Sequence, residues 1–317
     1  MLADMKDRQL APLIAAMAVV LTWGVNFPLS KALFNQVGPT GFLGLRYLLM
    51  PFCAVALLCW RFGMRWPRLD RGEVWPLVRL TLIGQGLHLL LSAYGMQGST
   101  AFSASVLLAC GPVFTLLILR ATGVEKLSAG QVVGVAMAAT GALVFTSDKL
   151  LAADWQAGLG DLTLLAAAAL FSYYTVASKP LIQHHGGVTV LGYGSLVCTL
   201  PMLLWCSPAL VSLDWATQPT WVWPGLAWQV IGGGFLGWLA WGWANEKRGV
   251  ARTAPLIYLM PLVAGLIAWL WGGEQFSAPK LLGAGVILAG VALAQFSPAL
   301  NGPRGLPARP QPPEPSC

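Results

Sequence analysis

The sequence predicts an all-α polytopic membrane protein with ten transmembrane helices in two inverted five-helix repeats. Three observations predict it. The chain of 317 residues is 56% hydrophobic and only 10% charged, its apolar runs approach 20 residues, and its second half repeats the register of its first. A soluble domain carries about 25% charged residues and could not hide this much apolar surface. Mean hydropathy is +0.67. Ten helices of roughly 20 residues use about 200 positions, so no room remains for a soluble catalytic domain.

The apolar runs lie at about 10–30, 42–60, 74–94, 101–119, 129–146, 162–178, 188–206, 221–243, 253–272 and 280–297. Each is too long and too continuously apolar for a barrel strand, which alternates over about ten residues. The polar start, Met1 to Gln9, leads into a run too long for a signal-peptide core, so the first segment is expected to be retained. With the N-terminus in the cytoplasm, fourteen of the nineteen basic residues fall inside. The positive-inside rule thus predicts that both termini are cytoplasmic. The tail at 298–317, with six prolines from Asn301 onward, reads as disordered. The net charge of +7 follows from the basic loops and does not imply nucleic acid. The six cysteines fall mostly within apolar runs, at neither disulfide nor zinc spacing.

A shift of 148 residues superposes Ser30-Lys31 on Ser178-Lys179, Gly38 on Gly186, Gly44 on Gly192, Trp75-Pro76 on Trp223-Pro224, and Gly84 and Gly86 on Gly232 and Gly234. After one insertion, a shift of 149 brings Pro112 onto Pro261, Glu125 onto Glu274 and Gly141 onto Gly290. The repeats span residues 10–147 and 160–297. Five helices is an odd number, so equivalent helices must cross in opposite directions. The loops agree: four arginines follow the second run, and none follows its equivalent, the seventh. Inverted repeats mark secondary transporters, whose site lies near the midplane between the halves.

Trp23-Gly24-Val25-Asn26-Phe27 with Lys31 and Arg46, the Gly111-Pro112 pair, and the paired endings Gly123-Val124-Glu125-Lys126-Leu127-Ser128 and Gly273-Glu274-Gln275-Phe276-Ser277 resemble the EamA-type repeats of the drug/metabolite transporter superfamily. The resemblance covers about residues 10–297. It implies a ten-helix exporter of amino acids or related small metabolites in the bacterial inner membrane. It also implies a cavity lined by helices one, three, four, six, eight and nine, with five and ten peripheral. Phe171 stands opposite Trp23, and Gly194 opposite Arg46, so a role for Arg46 is not symmetric.

Candidate cavity residues follow from spacing. Trp23, Asn26 and Ser30 share one helical face, and their equivalents are Phe171, Tyr174 and Ser178. His88 and Ser92 are one turn apart, and an intramembrane ionisable group is a functional candidate by default. Trp238, Trp241 and Tyr258 are deep aromatics suited to stacking on a substrate. Lys31 and Arg46 are expected to form an outer vestibule or gate that attracts carboxylates. His184-His185 have no ligand partner at metal spacing in the sequence and read as solvated. Glu125 and Glu274 precede helix starts, with Ser128-Ala129-Gly130-Gln131 as a capping box and Ser277 with Pro279 marking the equivalent first turn, and read as structural. Glycines 130, 134 and 141, with 283 and 290, put a small-residue stripe on the fifth and tenth helices that suits tight packing. No run carries a central Asp or Glu, which weakens a carboxylate-based proton site. With no P-loop, no cofactor motif and no polar cluster for membrane enzymology, the sequence points to alternating-access export rather than catalysis. Partners are a small-molecule substrate and the bilayer, with oligomeric state left open. The alternative substrate class is multidrug or quaternary ammonium.

Overall fold

The computed structural model describes residues 2–123, 127–151, 155–248 and 254–297. The tail at 298–317 and the helix-end reading of Glu125 lie outside these residues. All regular structure among them is helical.

Leu2–Phe62 is one run of helix interrupted at Gly38, where φ is 69° and ψ is 161°. This kink separates α1 (2–37) from α2 (39–62). The same conformation recurs at Gly186, with φ 81° and ψ 157°, where it divides the short helix Lys179–His185 from α7 (Gly187–Ser212). No atom lies within 4 Å of a Cβ built at either glycine. The positive φ, not crowding, therefore selects glycine at both repeat-related kinks.

The other departures from regular helix also come in pairs. In α3 (Arg71–Gly98), the turn Leu82–Leu87 is π-helical. In α8 (222–248), Trp228–Leu236 is π-helical in turn. α4 (Ala101–Ala121) breaks between Ala101–Leu108 and Gly111–Ala121, and α9 (254–270) passes from the 3-10 segment Ala254–Leu259 to Met260–Leu270. Pro112 and Pro261 each begin the second piece, where a missing N–H costs no helical bond. The remaining helices are α5 (Ala129–Leu151), α6 (Trp155–Ala177) and α10 (Ala278–Phe296).

The caps read from sequence are present. Ser128 N donates to Gln131 Oε1 at 2.9 Å while Gln131 N donates to Ser128 Oγ at 3.3 Å, closing a capping box on α5. Ser277 Oγ accepts from Lys280 N at 3.3 Å at the start of α10.

Packing interleaves the halves. α1 lies against α8, α6 against α3, and α2 against α7. α5 and α10 pair along their glycine stripes: a Cβ on Gly134 would sit 2.4 Å from Ala294 N, and one on Gly290 2.5 Å from Ala138 N. The outer surface is apolar, with Phe52 and Trp60 each 72% exposed and Leu143 70% exposed. Such a surface is stable only against lipid.

The tight pair makes a direct prediction. A Cβ on Gly283 meets Phe145 N at 2.4 Å, whereas Gly285 on the same helix has nothing within 4 Å. Gly283→Val is expected to destabilise the protein by at least about 1–3 kcal/mol, and Gly285→Val to melt close to wild type, as read by thermal unfolding in detergent.

Candidate functional site

The π-helical turns of α3 and α8 face each other's repeat and shape the interior. A wide turn displaces the helix locally, and glycines there admit a neighbour: a Cβ on Gly84 would meet Tyr174 Cβ at 2.6 Å, and one on Gly233 would meet Asn26 Nδ2 at 2.0 Å. Thus α6 is seated on the turn in α3, and α1 on the turn in α8.

Beside these turns lies a cavity of about 610 Å³, a size suited to a small ligand. At mid-depth its wall includes Arg46, Gln85, His88, Phe171, Tyr174 and Trp238; toward one end it includes Ile182, Gly187, Val188 and Trp243. That end also carries Arg61, Arg65, Arg68, Arg71, Arg120, Lys179 and Lys247, and is called here the basic end. Among the described residues no carboxylate lines the cavity.

Arg46 has no ion-pair partner among the described residues, and its buried Nε has no hydrogen-bond partner. The side-chain oxygens of Gln85 and Ser92 are buried without partners as well. His88 Nδ1 lies 2.8 Å from Ala167 O in α6. A carbonyl only accepts, so Nδ1 carries the proton and a neutral His88 keeps Nε2 as an acceptor. Its ring stands 5.2 Å from Phe171, and Phe171 stands 6.4 Å from Trp238. The chamber's wall thus combines one cation, the amide of Gln85, the imidazole of His88 and an aromatic face.

Other predicted site residues go elsewhere. The face Trp23, Asn26, Ser30 turns onto α8 instead of the cavity. Trp23 Nε1 donates to Gly233 O at 2.8 Å, Asn26 Oδ1 accepts from Trp228 Nε1 at 3.1 Å, and Gln229 Nε2 donates to both Asn26 O and Ser30 Oγ at 2.8 Å. The helical wheel identifies the polar face, but the partner is a π-helical turn that offers the Gly233 carbonyl and the side chains of Trp228 and Gln229. Trp241 packs on Trp23 at 5.6 Å in a separate core cluster. Ser178 is 2% exposed and bonds back to Thr175 O at 3.5 Å, and the Tyr258 hydroxyl bonds Gln295 on α10. Ser92 sits one turn beyond His88 but not in the cavity wall.

Lys31 and Arg46 are not joined in an outer vestibule. Arg46 lies about 10 Å along α2 from its start and enters the cavity wall, whereas Lys31 Nζ donates to Met96 O, Gln97 O and Ser99 O at 2.8, 2.8 and 2.9 Å. Lys31 thereby caps the C-terminal end of α3, where the free carbonyls draw a cation. Further ties hold this end, opposite the basic one. Ser99 Oγ donates to the buried Asp161, and Lys280 Nζ pairs with Glu274 at 2.7 Å and donates to Thr100 Oγ1 at 3.0 Å. Glu274 is structural, as its place before a helix predicts. Asp161 escaped the sequence reading because the sixth run was begun one residue after it; the structure extends α6 past it.

His184 and His185 are not simply solvated. His184 Nδ1 is 2.7 Å from Glu73 Oε1 and His185 Nε2 is 2.8 Å from Glu73 Oε2. The partner is 111 positions away in sequence and belongs to the other repeat.

A helical membrane bundle of two related halves around a polar and aromatic cavity defines a transporter rather than an enzyme. The chain belongs to the EamA-like transporter family, whose description matches residues 10–147 and 158–296. It is 29% identical, over 88% of this chain and 91% of the relative, to a protein of Streptantibioticus cattleyicolor described as a "probable terminal-alkyne amino-acid exporter". It is 26% identical, over 89% and 94%, to a "probable amino-acid metabolite efflux pump" of Escherichia coli. An S-adenosylmethionine/S-adenosylhomocysteine transporter of Chlamydia trachomatis is 25% identical over 86% and 85%. A solved structure shares the fold at TM-score 0.60 with 19% identity, over 89% of this chain and 96% of its own.

The ties at Lys31 give a second prediction. Lys31→Met strands three carbonyls at the end of α3 and is expected to lower stability by about 1–3 kcal/mol. Hydrogen exchange should rise at 96–99 before it rises elsewhere.

Proposed function

We propose that the chain exports amino acids, or closely related metabolites bearing a carboxylate, across the bacterial inner membrane with both termini cytoplasmic. The observation that carries this reading is the unpaired Arg46 guanidinium in the wall of an otherwise uncharged cavity. A guanidinium held away from bulk water without a counter-ion is costly, and a substrate carboxylate offers it a bidentate, charge-assisted partner. His88 Nε2 then serves as an acceptor for the substrate ammonium beside the Gln85 amide, and Phe171 with Trp238 receives its side chain. The names of the amino-acid exporting relatives support the same class.

The basic residues support a cytoplasmic position for the basic end of the cavity by the positive-inside rule. The described conformation is then the inward-facing one, with the far end held by Lys31, Asp161 and the Lys280–Glu274 pair. Export proceeds as the inverted halves rock, loosening those ties and closing the basic end over an occupied site. A quaternary ammonium substrate fits less well, because Arg46 repels it and no carboxylate in the cavity attracts it.

Proteoliposome flux tests this reading. Arg46→Gln should lower kcat/KM for the best-transported amino acid by about 10- to 150-fold, leave flux of its methyl ester much less affected, and melt no lower than wild type. Equal losses for acid and ester refute the carboxylate role. Flux of tetraalkylammonium ions without amino-acid flux refutes the substrate class.

A further inference from the structure

We infer that Glu73, His184 and His185 form a binding site for a divalent transition-metal ion of the zinc type, joining the two repeats beside the mouth of the cavity. The three side chains come from two elements, one in each repeat. Glu73 lies in the first turn of α3, fixed by its capping box: its Oε2 accepts from Asp70 N at 3.2 Å. His184 and His185 end the short helix Lys179–His185, where Gly186 with its positive φ stops the helix and turns the chain into α7. The backbone thus presents two adjacent imidazoles to one carboxylate.

The geometry is that of a ligand set closed up on itself. His184 Nδ1 and His185 Nε2 approach different oxygens of Glu73, at 2.7 and 2.8 Å, and the two rings lie 4.3 Å apart. One ligand atom from each residue falls within 4.8 Å of the other two. Ligands around a tetrahedral zinc stand roughly 3.3 Å apart, as bond lengths of 2.0–2.2 Å require, so small side-chain rotations admit the ion. Two imidazoles and a carboxylate leave a fourth position for water. Each histidine binds as the neutral ring, with its proton on the nitrogen facing away from the ion. The site is sheltered but reachable: the side chain of His185 is 9% exposed, that of Glu73 21% and that of His184 53%.

Position gives the site its consequence. Ile182, Gly187 and Val188 flank the histidine pair in sequence and line the cavity. An ion bound here clamps α3 of the first repeat to the α6–α7 connection of the second, across the end where the cavity is lined by backbone and aliphatic groups. This inference does not depend on the substrate class.

Tag-free protein in detergent, titrated with Zn2+ against a chromophoric chelator and with Co2+ by its visible absorption, tests it. The expected result is one ion per chain with tetrahedral Co2+ bands, and a melting temperature raised by Zn2+. Glu73→Gln should weaken binding about 10- to 100-fold, and the double variant His184→Ala/His185→Ala should abolish it. His88→Ala should bind as wild type. All variants should first be shown to melt cooperatively without metal. Failure of the wild-type protein to bind, or stoichiometric binding that survives in the double variant, overturns the inference.

Discussion

Within a bilayer, helices gain little from hiding apolar side chains, since the lipid is as apolar as they are. This bundle therefore depends on backbones meeting at glycine. The α3–α6 crossing shows it along its length: Gly84 admits Tyr174 at one end, and a Cβ on Gly160 would come within 2.8 Å of the Gly98 carbonyl carbon at the other. α1 on α8 repeats the arrangement through Gly233 and Gly237, the latter against the Trp23 indole. Because these contacts cross between repeats, each half is completed by the other. Close approach also brings polar groups to exposed carbonyls, so that His88 reaches Ala167 O and Trp23 reaches Gly233 O. The position of the cavity follows from these crossings, not from the cavity's own side chains.

Much of this was legible in the sequence wherever a local rule decided it. Apolar length located the helices, Ser128 and Gln131 announced a cap, and the glycines at 134, 141, 283 and 290 marked a face for tight packing that α5 and α10 use against each other. The repeat register aligns Gly38 with Gly186, and the two hold the same conformation. What the sequence did not disclose depends on long-range partners. A helical wheel groups Trp23, Asn26 and Ser30, but it cannot say that a widened turn in α8 will occupy that face. Nor does it reveal that Gln229, apparently one more residue of an apolar run, holds Asn26 and Ser30 together. The pairing of His184 and His185 with Glu73 is invisible for the same reason. Arg46 was recognised as significant but placed too close to the surface, because distance along a helix was read without the depth that α2 acquires by starting at the Gly38 kink.

The two ends of the molecule are held by different forces. Opposite the basic end, cations meet carbonyls and carboxylates in sites largely shut from water, where each bond is strong but must be complete. At the basic end, charged loops surround a cavity wall of glycine, aliphatic residues and Trp243, with the Glu73–His184–His185 cluster beside it. A polar lock suits the opening proposed above for this interface, since water can satisfy the same groups once they part. An equally large apolar seam would have no such alternative.

The treatment of cations elsewhere in the bundle gives the strongest reason to regard Arg46 as functional. Lys280 is 4% exposed, yet the fold supplies it with Glu274 and Thr100; Lys31 is given three carbonyls. The chain thus has the means to satisfy a cation away from water and uses them twice. At Arg46 it does not: among the described residues no carboxylate faces the guanidinium, and two nearby acceptor-bearing side chains, Gln85 and His88, stand in the same wall without pairing with it. A structural arginine in that position would be expected to recruit them, as buried charges generally do. Leaving the cation without a counter-ion beside the Gln85 amide and the His88 imidazole is what motivates the zwitterionic substrate proposed above.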